Sequence, residues 1–185
     1  MKKLLMLAVL LATFGVNAAA TESPIKLSLY DNIAWPKTNN ANIVLGLVDN
    51  NTPTVKGISL AIGSSRVNNL TGLSFAYFYA RSNNLTGVQF GLYNVTHRAT
   101  GVSFALVNHN QGSFTGVQFG AVNIADNMKG VQLAPLFNSA ERLTGVQLGL
   151  VNYVNRIDKG LQIGLVNIIE SNGWLPIMVL VNGRF

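Results

Sequence analysis

The sequence contains no cysteine. That excludes disulfides, thiolate metal sites and cysteine nucleophiles, so a folded form has to rest on backbone pairing and apolar burial. Histidine is nearly missing as well, with only His97 and His109 present. Each sits in a polar, turn-like stretch, and no carboxylate completes a metal site beside them. Only seven acids occur, and no two are placed for paired acid–base work. Ser74 and Ser103 stand in GLSFA and GVSFA, which lack the second glycine of a nucleophile elbow. No glycine-rich loop opens a helix, so no phosphate cradle is indicated. These absences predict a protein without catalysis, cofactor or metal.

Basic residues outnumber acids by 13 to 7, but they are scattered. Arg66, Arg81, Arg98, Lys129, Arg142 and Arg156 fall singly in turn-like stretches. A nucleic-acid footprint needs them gathered on one face, so no nucleic-acid partner is expected. Long hydrophobic runs are also missing, except one. Leu4 to Phe14 is apolar, follows Lys2 and Lys3, and precedes Ala18-Ala19-Ala20. That is the pattern of a secretory signal, and the run is too short for a spanning helix. Residues 1–20 are read as signal peptide and 21–185 as one exported domain. With Lys2 and Lys3 removed, 11 bases face 7 acids, a net charge of +4.

What fills the chain is a repeat. Gly57, Gly72, Gly87, Gly101, Gly116, Gly130, Gly145 and Gly160 lie 14 or 15 residues apart. Gly87 opens GVQFGLYN, Gly116 opens GVQFGAVN, Gly145 opens GVQLGLVN and Gly160 opens GLQIGLVN. Extending the phase in both directions gives ten units, starting at 42, 57, 72, 87, 101, 116, 130, 145, 160 and 175. Such a period means one small unit copied many times. Glycine every four residues disfavours helix, and the alternation is that of a strand. In the unit from Thr86, one face carries Val88, Phe90 and Leu92, and the other Gly87, Gln89 and Gly91. Between units lie turn formers such as Arg81-Ser82-Asn83-Asn84 and His109-Asn110-Gln111-Gly112. At Gly130, Pro135 displaces the recurrent asparagine to Asn138.

Two all-β architectures accommodate this unit. The adopted one is an antiparallel meander with one strand per unit, closed as a small outer-membrane-type barrel of about 10–12 short strands. The alternative is a β-solenoid with one coil per repeat. Three points favour the barrel. The stretch between octapeptides is short and turn-like, a run of about 9–11 residues suits a tilted transmembrane strand, and no capping segment follows the last unit. In the barrel, the Val/Phe/Leu triplets face lipid and the glycines and glutamines face inward. In the solenoid, the triplets form the dry core and Gln and Gly line a flat outer face. Gln89, Gln118, Gln132, Gln147 and Gln162 share one slot. They are read as an interior polar lining, either an amide ladder between strands or the wall of a narrow conduit. Asn94, Asn108, Asn123, Asn152 and Asn167 stand at strand ends and read as turn makers.

The octapeptides, the stretch Ile25 to Trp35 and the closing Leu175-Pro176 through Phe185 resemble a family of bacterial surface repeat proteins. Those are exported chains of Gly-aliphatic-Gln-aliphatic-Gly-Leu-Val-Asn units. The early units GISLAIGS and GLSFAYFY depart from the pattern. The resemblance implies an envelope or surface location and no assigned activity. The alternating segment ending at Phe185 also looks like the C-terminal strand of outer-membrane barrels. On that reading the partners are outer-membrane lipid and the barrel-assembly machinery, and the role is structural, surface-interacting or a narrow conduit. Strand parity would then place Arg81, His109, Glu141 and Glu170 on one side of the membrane, and Arg66, Arg98, Lys129 and Arg156 on the other. The other candidate functions are an exported solenoid that acts as a binding module and, weakest, a lipid-acting enzyme using Ser103 with His97 or His109.

Overall fold

The computed structural model describes residues 20–30 and 33–185, with side chains from Glu22 onward. The signal segment therefore lies outside the described residues except for Ala20. Eight β runs follow in order: β1 (Ala20–Tyr30), β2 (Ile33–Trp35), β3 (Thr38–Gly46), β4 (Asp49–Ala61), β5 (Ser64–Ala76), β6 (Tyr79–Phe119), β7 (Val122–Ser171) and β8 (Ile177–Arg184). They form one sheet system in the order β2-β1-β3-β4-β5-β6-β7-β8.

The expected barrel is overturned. β1 pairs in parallel with β3, β3 with β4, β4 with β5, β5 with β6 and β6 with β7. A meander of hairpins would make every one of these pairs antiparallel. β2 and β8 each have one neighbour, so the sheet does not close. The offset between partners is one repeat: Gly57 lies beside Gly72, Gly72 beside Gly87 and Gly116 beside Gly130. The 41 residues of β6 would reach about 135 Å if straight. Instead the run winds back on itself once per unit, as β7 does. The molecule is a β-solenoid, the architecture held as the alternative.

The stretch between octapeptides is more than a turn, which is why its shortness misled. After the corner at Leu47-Val48 or Ile62-Gly63, the chain runs straight again through Asn50–Thr52 or Ser65–Val67, and this is the coil's second face. Arg66 and Arg81 are register partners on that face, so the alternate-side placement inferred from a barrel falls with it.

Each coil has a two-sided interior. Two residues before the glycine stand Val55, Leu70, Leu85, Ala99, Phe114, Met128 and Leu143, all buried. Across from them Val67, Ala125, Ala140, Val154 and Ile169 close the same core. The recurrent glycines have φ from +130° to +149°. A side chain rarely adopts that region.

Both ends are capped by reversal. β2 folds back antiparallel on β1, and β8 runs antiparallel along the last coil, with Ile163 opposite Val181 and Leu161 opposite Gly183. The unit counted at 175 keeps the repeat's phase but runs the other way. It is the capping segment judged missing from the sequence. Trp174 and Phe185 close against each other there, with ring centroids 5.4 Å apart.

At the other end Lys26 is buried beneath the first coil. Its ammonium donates to Asn51 O and Thr52 Oγ1, both at 2.9 Å, without a carboxylate partner in that set. Burial lowers its pKa below the ordinary 10.5. The unfolded chain then binds this proton more tightly than the folded one, so stability rises with pH between the lowered pKa and about 10.5. Tyr153 works in the opposite sense, because its hydroxyl donates to Glu170 Oε1 at 2.6 Å and its pKa is raised. Urea melts from about pH 8 to about pH 10 should therefore show a pH-dependent gain in the wild type relative to Lys26→Met. Parallel curves for the two proteins would refute this.

Candidate functional site

The five glutamines are all fully buried and stand in one column facing the interior. Gln132 donates to Gln118 at 2.9 Å, Gln147 to Gln132 at 2.7 Å and Gln162 to Gln147 at 2.8 Å. Each donor also reaches across to a carbonyl of the second face: Ser139 O, Tyr153 O and Ile168 O, respectively. Those carbonyls fix which end of each amide carries its hydrogens. Gln89, separated from Gln118 by Ser103 in the same slot, bonds to Ala80 O and accepts from Ser82. From Gln118 to Gln162 the column is joined amide to amide, the ladder of the two readings.

A second ladder was missed in the sequence. Asn94, Asn108, Asn123, Asn138, Asn152 and Asn167 point inward at the corner and are buried, contrary to the turn-making role expected of them. Each of the first five donates to the next, at 3.3, 2.8, 3.0, 2.9 and 2.9 Å. Their donors run toward the later coil, whereas the glutamine donors run toward the earlier one. Asn138 keeps its place because the corner at Pro135–Phe137 absorbs one extra residue. Among the described residues, two buried side-chain oxygens have no partner, Asn94 Oδ1 and Gln162 Oε1. They mark the open ends of the two ladders. Ahead of Asn94 the slot holds Ala80, which has nothing to donate. The signal was available: one residue type at one phase of a coiled repeat stacks on itself, and only a parallel register lets amides pair that way.

With the amides inside, the triplets lie outside, which corrects the sidedness expected of a solenoid. The second triplet position forms an unbroken column of Leu27, Leu45, Leu60, Phe75, Phe90, Phe104, Phe119, Leu133, Leu148, Ile163 and, through β8, Val181. Flanking columns begin Ile25, Ile43, Ile58 on one side and Leu29, Leu47, Ile62 on the other. The side chains are open to solvent: Leu106 is 59 % exposed, Leu150 52 % and Leu165 59 %. Phe90, Phe104 and Phe119 stack nearly parallel at 4.9 and 4.8 Å, set by the spacing of coils rather than by a buried pocket. Between this column and Tyr77, Leu92 and Leu106 runs a groove of about 610 Å³ whose floor is Gly91, Ala105 and Gly120. It continues past Phe75 and Tyr77 into a groove of about 450 Å³ over Gly46 and Ala61. Small residues in the floor pinch the coil there.

The face beyond the corner is polar. Asn83 donates to Asn68 and Asn84 to Asn69, and Arg98 donates to Asn84. Arg142 and Arg156 share Asp158. Arg66 pairs with the buried carboxylate of Asp49. Ser103 is buried and bonds to Asn94 and Asn108, while His109 bonds to the Tyr93 hydroxyl. Among the described residues no three of His, Asp and Glu cluster as a metal site would require.

The class defined by this geometry is a capped, amphipathic β-solenoid with an amide interior and one bare apolar face. Comparison of the chain with protein-family models, curated proteins and solved structures returned no match.

Proposed function

We propose that the protein is an exported, non-catalytic binding module of the bacterial envelope, acting through its apolar face. The observation that carries this reading is the face itself. Eleven levels of sheet spaced about 4.8 Å apart, each contributing about 13 Å of alternating chain, make a flat apolar surface on the order of 600 Å². A soluble monomer's largest apolar patch is typically about 300–600 Å², and patches at or above that size mark interaction sites. The signal-like N-terminus and the resemblance to surface repeat proteins support export and an envelope location.

Charging the face without touching the interior tests the reading. The double variant Leu106→Lys/Leu150→Lys alters two side chains more than half exposed. It should keep the wild-type circular dichroism and melting temperature, lose binding of a hydrophobic dye, and move from the envelope fraction to the soluble fraction of expressing cells. Unchanged fractionation of a folded variant would exclude this face as the binding surface.

A further inference from the structure

Deepening the reading of the apolar face as a docking surface, we infer that its occupant is the hydrocarbon of an anionic lipid bilayer. On this inference the solenoid lies flat on the membrane rather than crossing it. Three observations lead there.

The first is what the face lacks. A protein–protein interface carries about one hydrogen bond per 100–200 Å². The three columns offer a single side-chain hydrogen-bonding group, the Tyr77 hydroxyl, over eleven levels. A partner protein would have to leave its own polar groups unpaired against this surface, whereas hydrocarbon brings none.

The second is the charge along one long edge. The column just before the stacked glycines points out on the same side of the sheet. It reads Lys56, Thr71, Thr86, Thr100, Thr115, Lys129, Thr144, Lys159. It holds three lysines and no acid. The carboxylates of Glu141 and Glu170 belong to the opposite, polar face, Asp49 is paired with Arg66, and Asp158 with Arg142 and Arg156; Glu22 lines the same surface pocket as Lys56, at one end of the row. A row of hydroxyls and ammoniums beside an apolar plane fits the headgroup layer of an anionic bilayer, where each base near the surface adds to binding.

The third is where the amphipathic rings stand. The only two tryptophans are Trp35 and Trp174. Trp35 lies opposite Leu27 on β2, one strand beyond the first level of the apolar column, and Trp174 lies at the last coil against Phe185. Both are about half exposed. Tyr79 and Tyr93, stacked at 5.9 Å, line the other long edge. Tryptophan and tyrosine collect where a surface is apolar on one side and wet on the other.

The two tryptophans make the test direct. The purified protein is mixed with vesicles of phosphatidylcholine alone or with phosphatidylglycerol added, and with brominated lipids of the same composition. Expected are co-sedimentation with the anionic vesicles, a blue shift of tryptophan emission and quenching by bromine. Binding should weaken at least ten-fold in Lys56→Gln/Lys129→Gln/Lys159→Gln and with added salt, and be lost in the Leu106→Lys/Leu150→Lys protein. Equal binding of wild type and the lysine variant to anionic vesicles would overturn the role of the lysine edge. No vesicle binding, together with a dimer in sedimentation that the leucine variant dissociates, would overturn the lipid and leave the apolar face docking a second copy. No vesicle binding and a monomer, with dye binding and fractionation unaltered in the leucine variant, would overturn both readings.

Discussion

Gly116→Ala will lower the melting temperature by roughly 8–16 °C. At φ +133° the backbone of Gly116 occupies a region that costs an alanine about 1–3 kcal/mol. The added methyl would also fall on the carbonyl oxygen of Gly101, closer than any real Cβ approaches an oxygen. The oxygen cannot step aside, because Gly101 is stacked in the same way on Gly87. Two coils must therefore separate locally, for a total near 4 kcal/mol, which in a domain of this size gives the stated shift. Gly46→Ala serves as the control. Its methyl would meet the side chains of Asn50 and Ala61 at 3.1 and 3.3 Å and the Ala61 Cα at an ordinary 3.6 Å, in a slot that already holds alanine at Ala61 and Ala76. It should melt close to the wild type. If Gly116→Ala does so too, the close stacking of coils at the glycines is wrong.

Asn123→Ala should cost about 3 kcal/mol, although it removes no exposed group and no apolar area. The Asn123 amide accepts from Asn108 at 2.8 Å and donates to Leu133 O at 2.9 Å and Asn138 Oδ1 at 3.0 Å. Deleting it strands the buried Asn138 oxygen, at a cost of about 1–3 kcal/mol, and takes one of two donors from the Leu133 carbonyl, which keeps Gly120 N at 3.1 Å. Asn167→Ala, at the ladder's last rung, loses one donated bond, to Gly164 O, and should cost less. Chemical denaturation of Asn123→Ala, Asn138→Ala and the double variant forms a cycle. The double variant should lose clearly less than the sum, because the second change removes an oxygen already stranded. Strict additivity would mean that the asparagines contribute separately and the ladder has no cooperative standing.

Much of the fold is visible in the repeat. The period, the strand character, the two-sided alternation and the single slot of Gln89, Gln118, Gln132, Gln147 and Gln162 can all be read from one octapeptide and its copies. Direction and sidedness are not visible there. Alternation is identical in a parallel coil and an antiparallel hairpin, and hydropathy alone places Val88, Phe90 and Leu92 against either lipid or a dry core. What decides is self-complementarity. A glutamine above a glutamine can donate and accept at once, so a polar interior is satisfied only if coils stack in register. The drift between 14 and 15 residues does not decide by itself, since a register shift in a hairpin compensates for one residue as a corner in a coil does. Pro135 and Asn138 show the drift absorbed at a corner instead. The exposed face was legible residue by residue. Its exposure was not, because that follows from the amides having taken the inside.

The two amide ladders run in opposite senses, and this has an electrical consequence. A column of aligned amides is a row of dipoles laid head to tail, and one such row would give the solenoid a positive and a negative end, as in a helix. Here the glutamine row points one way and the asparagine row the other, through the same interior. Their fields oppose each other along the axis over the coils from Gln118 to Gln162, where both rows run, and the parallel sheet adds little of its own. A rod built this way can gain or lose coils without accumulating charge at its tips. The field outside it is then set by the side chains on its long faces and not by its length.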